Sequence, residues 1–266
     1  MYKALIFDVD DTLIKVGKTE VEASALAAIE QAREKGLKII VATGRGYKFL
    51  HRDVKNRVRA DYYVMVNGGC INRADGSVVL SHPMSLEQVE RLMKRCEADD
   101  FPYGFKFDDS LQAYYRGEDF INMYASKAIT KDMLDDNSDR QDYHLTHGLP
   151  CDCFIFSQNH QAMEYQKEMP DLFFYKANNK GGVECFPIEV NKGNTLRELI
   201  VDILHFDLSE CVAFGDSVND VEMLEVCGTA VVMGNGSAEA KAVADYITTD
   251  IEDDGIYNAL KHLNII

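Results

Sequence analysis

Short unbroken apolar runs alternate along this chain with longer segments whose apolar residues recur every three or four positions. Ala4-Leu5-Ile6-Phe7 is the first run and predicts a buried strand. Thr19 with Glu22 forms a capping box ahead of a helix that carries Leu26 and Ile29 on its apolar face, and Gly36 stops it. Leu37-Lys38-Ile39-Ile40-Val41-Ala42 and Tyr62-Tyr63-Val64-Met65-Val66 predict a second and a third strand. Strand–helix–strand units of this length pair in parallel through right-handed crossovers. Asp75-Gly76 then predicts a hairpin turn.

The rhythm changes in the middle of the chain. Ser85 with Gln88 caps a helix whose face is Leu86, Val89, Leu92, Met93 and Cys96. Aromatic strands follow around Tyr103 to Phe107 and Gln112 to Tyr115. Residues 131–142 are polar and acidic and read as an exposed loop or a frayed helix. A strand at Phe154-Ile155-Phe156, a helix near 160–168 and two strands near 172–188 complete a section of α+β character. The α/β alternation resumes after Pro187. Asn194 or Thr195 opens a helix bearing Leu196, Leu199, Ile200, Ile203 and Leu204. Strands at Cys211-Val212-Ala213-Phe214 and Ala230-Val231-Val232-Met233 follow, and a last helix runs from about Ile256 to Leu263. The expected fold class is therefore α/β: a Rossmann-like parallel-sheet core with an inserted α+β cap. The core takes residues 1–83 and 187–266, and the cap takes 84–186.

A chain of 266 residues is long enough to bury the cores of both parts. No apolar run approaches the roughly 18–20 residues that span a bilayer. The N-terminus runs straight into the first strand, so the expectation is a cytoplasmic protein with no membrane partner. A formal charge of −16 repels phosphate backbones and argues against nucleic-acid binding. It also repels a phosphorylated ligand, so a phosphate site here needs local donors and a metal. Seven cysteines, none in a Cys-x-x-Cys pair, read as reduced thiols serving as small hydrophobes.

The candidate chemistry lies where strands end. Asp8-Val9-Asp10-Asp11-Thr12-Leu13 follows the first strand. In an extended backbone residues i and i+2 share a side, so Asp8 and Asp10 would face one spot. Two like charges that close need a cation or a shared proton, and an oxygen-only ligand set suits a hard cation such as Mg²⁺. Thr43-Gly44-Arg45, Asn67-Gly68-Gly69 and Gly215-Asp216-Ser217-Val218-Asn219-Asp220 end other predicted strands. Ligands of open parallel sheets bind outside the carboxyl ends of the strands, so these segments can converge on one crevice. Taken singly, Thr43 is a cap or turn residue, Lys192 a solvated lysine and Gly215-Asp216 an ordinary strand-to-helix turn. Arg45 suits substrate binding and pairing with a core carboxylate equally well. His144-x-x-His147 followed by Cys151-x-Cys153 fits no common zinc spacing.

Taken in order, the segments resemble the four motifs of haloacid-dehalogenase-superfamily phosphatases, specifically the Cof-type branch of sugar-phosphate phosphatases. Motif one resembles Asp8-Val9-Asp10-Asp11-Thr12, motif two Thr43 in Ala42-Thr43-Gly44-Arg45, motif three Lys192 in Val190-Asn191-Lys192-Gly193, and motif four Gly215-Asp216 with Asn219-Asp220. Asn67-Gly68-Gly69, Met233-Gly234-Asn235 and Asp254-Gly255-Ile256 are also similar to that branch, whereas Asp11 stands where the family often has Gly. The resemblance implies a Mg²⁺-dependent phosphatase that acts on small phosphorylated metabolites, either sugar phosphates or phosphorylated cofactors. It casts Asp8 as the nucleophile that forms an aspartyl-phosphate. Asp10 is then the general acid and base, and Thr43 and Lys192 complete the catalytic set. The carboxylates of Asp8 and Asp216 and the carbonyl of Asp10 are the expected metal ligands, with Asp220 holding metal-bound water or orienting Lys192. Thr12, Gly44, Arg45, Asn67, Gly68 and Asn219 are candidate substrate contacts. Glu184 resembles a cap-end carboxylate that faces the leaving group. A phosphosugar mutase on the same core and a non-catalytic phospho-ligand sensor are the alternatives. The sequence leaves the oligomeric state open.

Overall fold

The computed structural model describes residues 1–126 and 128–266, which form two compact units. Unit 1 comprises Met1–Arg45, Leu50–Leu80 and Asn191–Ile266, and unit 2 comprises Gly46–Phe49 and Ser81–Val190.

Unit 1 begins with β1 (Ala4–Phe7), α1 (Ala23–Glu34), β2 (Lys38–Ala42), β3 (Tyr62–Met65), β4 (Cys70–Arg73) and β5 (Val78–Ser81). The expected capping box at Thr19 and Glu22 does not form. Glu22 stands at the N-cap without a side-chain capping bond, and the Val21 N–H donates instead to Asp53 Oδ2 at 2.8 Å. A long-range carboxylate thus orders the entry to α1 where the local pattern suggested a cap. Gly36, at φ +88°, ends the helix as expected.

Unit 2 carries α2 (Leu86–Ala98), β6 (Tyr103–Lys106), β7 (Leu111–Tyr115), α3 (Gly117–Tyr124), β8 (Asp135–Asp136), α4 (Tyr143–Thr146), β9 (Asp152–Phe156), β10 (Leu172–Lys176) and β11 (Gly182–Pro187). Ser85 and Gln88 form the expected capping box on α2. The strands make one sheet in the order β10-β11-β9-β6-β7-β8. Alternate residues supply its two cores. Val89, Leu92 and Cys96 of α2 pack with Tyr103, Phe105, Cys153 and Cys185, while Phe120 of α3 packs with Leu111, Phe154 and Phe156. All seven cysteines of the chain are free and buried.

The chain returns to unit 1 through α5 (Lys192–Arg197), β12 (Cys211–Gly215), α6 (Val221–Val226), β13 (Thr229–Val232), α7 (Ala238–Ala242), β14 (Tyr246–Ile247) and α8 (Gly255–His262). Its eight-stranded sheet has the order β14-β13-β12-β1-β2-β3-β4-β5. Every pair from β14 through β3 is parallel, and β4 is antiparallel to β3. Succession runs outward from β1 through β2 to β3 on one side, and from β12 to β14 on the other. The order therefore reverses between β1 and β12, which is where an open α/β sheet binds its ligand. Register places Phe7 beside Phe214, and the Asp8 N–H donates to the Phe214 carbonyl at 2.9 Å. The first residues past both strands are thus held side by side. One face of the sheet is filled by Ile6, Ile40, Val64, Leu196, Leu199 and Ala213.

Candidate active site

The loop after β1 is a tight turn, not an extension of the strand. Leu13 and Ile14 both donate to the Val9 carbonyl, at 2.9 and 2.8 Å. β1 ends at Phe7, so Asp8 and Asp10 lie in this turn and not in extended backbone. Their hydrogen-bond partners differ, yet they stay near enough that burial and, to a smaller degree, the charge of Asp10 raise the Asp8 carboxyl. Asp11 sits at φ +61°, in the left-handed region where glycine is easiest and aspartate is tolerated. Its side chain supports that conformation by accepting the Val16 N–H at 2.8 Å.

Lys192 opens α5, because Asn191 caps the helix by accepting the Asn194 N–H at 2.8 Å. The helix thus starts earlier than the expected Asn194 or Thr195, and this turns Lys192 into the unit. Two close fits hold it there. Gly68 lies at φ +101° against the Asn191 carbonyl, and Thr195 Oγ1 donates to the Gly68 carbonyl at 2.7 Å. Lys192 Nζ donates to Asp8 Oδ1 and to Asp220 Oδ1, both at 2.6 Å. Lys192 is 1% exposed and Asp220 0%, so each charge depends on the others for solvation.

Asp216 and Asp220 do not share a helix face, contrary to their spacing. β12 ends at Gly215, and Val218–Asp220 is a single 3₁₀ turn. Asp220 Oδ2 folds back to accept the N–H groups of Asp216 and Ser217, each at 3.0 Å. Gly215 leaves room for this: a Cβ there would lie 2.7 Å from that of Asp220. With one oxygen on Lys192 and the other on two backbone donors, Asp220 anchors the loop. Thr12 Oγ1 donates to Asp216 Oδ1 at 2.9 Å, joining the loops after β1 and β12.

Ligand atoms of Asp8, Asp216 and Asp220 lie within 4.8 Å of one another, the one such acidic, histidine or cysteine group among the described residues. Asp10 is not part of it. Burial, then the charge of Asp220, holds the Asp8 carboxyl well above the usual carboxylate range. The same two causes push Asp216 up to about 7. Burial opposes the charge on Lys192, yet Asp220 and Asp8 outweigh it and raise its pKa above the ordinary lysine value. Three carboxylates against one ammonium leave excess negative charge in a buried place. A hard divalent cation relieves that excess, and the oxygen-only donor set fits one.

Asp10 pairs with Arg45, whose Nε donates to Oδ2 at 2.8 Å and Nη2 to Oδ1 at 2.7 Å. Of the two roles that suited Arg45, the structure has the carboxylate pairing. Burial works against ionisation of Asp10, but the Arg45 hydrogen bonds and charge hold its pKa below the ordinary value. Thr43 is buried at the end of β2, and its Oγ1 accepts the Arg45 N–H at 3.2 Å. A Cβ on Gly44 would lie 2.9 Å from Asn67 Oδ1, and Asn219 Nδ2 donates to that same oxygen at 3.0 Å. Thr12, Thr43, Gly44, Asn67, Gly68, Lys192, Asp216, Asn219 and Asp220 are thus tied by short contacts at the carboxyl ends of β1, β2, β3 and β12. Thr195 and Asn235 lie outside the expected set. Asn235 Nδ2 supports the first loop by donating to the Asp11 carbonyl at 2.9 Å. Its place in Met233-Gly234-Asn235 was the available signal.

Glu184 belongs to unit 2. It is buried on β11 in an ion pair with Lys106 and accepts the Tyr175 hydroxyl, and Asp152 Oδ2 lies 3.7 Å from Lys106 Nζ. His144 Nδ1 is 3.0 Å from the Tyr114 hydroxyl, and His147 stacks on Tyr143 with centroids 3.9 Å apart. Among the described residues, no helix is long and apolar enough to cross a membrane.

The sequence pattern of the haloacid dehalogenase-like hydrolases matches residues 5–260. The phosphatase YwpJ of Bacillus subtilis is 22% identical over 98% of this chain and 99% of its own length. The 5-amino-6-(5-phospho-D-ribitylamino)uracil phosphatase YbjI of Escherichia coli is 25% identical over 97% of this chain and 94% of its own. Among solved structures, the HAD subclass IIB sugar phosphatase BT4131 superposes with a TM-score of 0.85 at 25% identity, covering 99% of this chain and 100% of that one. The resemblance in the four motifs therefore extends through the whole fold. The chain belongs to the haloacid dehalogenase-like hydrolase family, and its enzymatic class is that of the phosphoric monoester hydrolases.

Proposed function

We propose that the chain hydrolyses small phosphate monoesters through an aspartyl-phosphate on Asp8, with Mg²⁺ bound by Asp8, Asp216 and the carbonyl of Asp10. The observation that carries this reading is the buried group in which Asp8 meets Lys192, Asp216 and Asp220 between β1 and β12. Bound Mg²⁺ supplies charge neutralisation at the phosphoryl oxygens and lets Asp8 ionise despite its burial. Asp8 attacks phosphorus: a P–Oδ bond forms as the ester P–O bond breaks. Lys192 keeps a fixed positive charge beside the attacking oxygen. We assign the Thr43 hydroxyl, whose oxygen accepts the Arg45 N–H, and the Gly44 N–H as donors to the phosphoryl group. Asp10, in the protonated form that the Arg45 pairing disfavours at rest, gives a proton to the departing oxygen. It later takes one from the water that attacks the aspartyl-phosphate, which frees Asp8 and inorganic phosphate. Asp220 orients Lys192. Thr12, Asn67, Gly68 and Asn219 hold the loops that grip the phosphoryl group.

The substrate class we favour is sugar phosphates or phosphorylated cofactors. The similar 5-amino-6-(5-phospho-D-ribitylamino)uracil phosphatase YbjI and the subclass IIB sugar phosphatase support it. We assign selectivity for the leaving group to unit 2, the inserted α+β cap expected at 84–186, and within it to residues such as Glu184. Two measurements test the reading. A Mg²⁺-dependent panel of phosphorylated metabolites, ranked by kcat/KM, identifies the class. Rapid acid quench and peptide mass spectrometry then look for one phosphoryl group on Asp8. Turnover without any covalent phosphoryl-enzyme would refute the nucleophile assignment.

A further inference from the structure

We propose that Arg45 is a positioning residue for Asp10 and not a contact to the substrate. The proposal rests on the reading of Asp10 as the group that carries the proton. Asp10 lies in the turn after β1 and is not one of the three clustered carboxylates Asp8, Asp216 and Asp220. Among the described residues Arg45 is the donor to both of its oxygens, through Nε to Oδ2 at 2.8 Å and Nη2 to Oδ1 at 2.7 Å. Two parallel N–H···O bonds from one planar fork fix the carboxylate plane as well as its distance. A single bond would leave the carboxylate free to turn about its last torsion.

The base of the fork is anchored too. The Arg45 N–H donates to Thr43 Oγ1 at 3.2 Å, and its carbonyl accepts the Val66 N–H at 3.1 Å. The orientation of Asp10 is thereby referred to the ends of β2 and β3, the same strands that present Thr43 and Asn67. A proton donor must point at the departing oxygen while Asp8 attacks from the opposite side, so orientation matters here more than charge alone. The guanidinium keeps its own protons throughout. Each Asp10 oxygen retains a second lone pair on which the transferred proton can sit.

The test is leaving-group dependence in single turnover, which isolates transfer of the phosphoryl group to the enzyme. Two Mg²⁺-dependent substrates are compared: an aryl phosphate with an acidic phenol, which needs no proton to depart, and an alkyl phosphate, which does. Asp10→Asn is the reference. We expect Arg45→Ala to slow the alkyl ester about 10²-fold. The aryl ester should slow by less than about tenfold, with KM little changed for either. Arg45→Lys should not restore the rate, because an ammonium cannot make the paired contact, whereas millimolar guanidinium ion should partly rescue Arg45→Ala. That rescue also excludes a misfolded variant as the cause. An equal loss for both esters with a raised KM would overturn the proposal and make Arg45 a substrate contact. Wild-type rates in Arg45→Lys would also overturn it. If Asp10→Asn shows no leaving-group dependence, the proton-carrier reading falls first and takes this proposal with it.

Discussion

Lys192 and Asp8 are 184 positions apart in the chain, yet Lys192 Nζ donates to Asp8 Oδ1 at 2.6 Å. The bond joins the first turn of α5 to the end of β1. It places a buried cation beside a carboxylate whose neighbours are otherwise anionic.

The first expectation concerns that carboxylate. Asp8→Asn should lower turnover below detection, because an amide does not form an acyl-phosphate. The metal-free fold should persist, since Lys192 keeps Asp220 and one of several repelling charges is gone. Steady-state assay and thermal melting check both halves. Near-native activity in a correctly folded Asp8→Asn protein would sink the mechanism.

Asp220 should matter for stability first. Its side chain satisfies Lys192 and two backbone N–H groups at once. Asp220→Ala leaves a buried cation short of a partner, a change that typically costs about 3–5 kcal/mol. Urea unfolding measures it, and a loss under about 1 kcal/mol would mean that Lys192 is solvated by other means.

Metal binding should be linked to pH through Asp216. Its pKa, about 7 in the folded chain, lies above the ordinary 3.8 expected when unfolded. Folding therefore favours its protonated form. The stability it contributes is complete below 3.8 and is lost as pH rises through about 7. Mg²⁺ competes with that proton. The rise in Tm on adding Mg²⁺ should thus grow from about pH 5 to about pH 8. A Mg²⁺ effect that stays constant over this interval would dissociate Asp216 from the metal.

Gly68→Ala should disturb a distant side chain. The added Cβ would fall on the Asn191 carbonyl, at a backbone conformation strained for any L-residue. The expected destabilisation is about 1–3 kcal/mol, with a loss of kcat because Lys192 begins the displaced helix. Unchanged kcat in a destabilised Gly68→Ala protein would show that α5 shifts without moving Lys192.

Selectivity should respond to unit 2. Glu184→Gln weakens the buried pair with Lys106, and we expect kcat/KM to change unequally across a panel of esters. A uniform loss over the panel would count against a leaving-group role for this unit.

The sequence by itself determined β1, β2, β3, β12 and β13 of unit 1 and the residues at their ends, but not the short edge strand β14. Buried parallel strands are short continuous apolar runs, and Ala4–Phe7, Lys38–Ala42 and Cys211–Gly215 each break off at a polar motif. The Ser85 cap was legible for the same reason, since both of its partners lie within one turn. Tertiary structure decided what depends on distant atoms. Asp53 reaches Val21, the residue before the N-cap of α1, where Thr19 and Glu22 offered a local alternative. Arg45 found Asp10, a choice its own neighbours left even. Residues four apart, as Asp216 and Asp220 are, would share a face of a helix, but the backbone N–H groups at the end of β12 hold Asp220 in a 3₁₀ turn. Burial then raised Asp8 and Asp216 and made their charge dependent on Lys192. Local pattern records only what a residue can do with its neighbours in the chain. Desolvation and long-range hydrogen bonds exist only once the strands have brought those ends together.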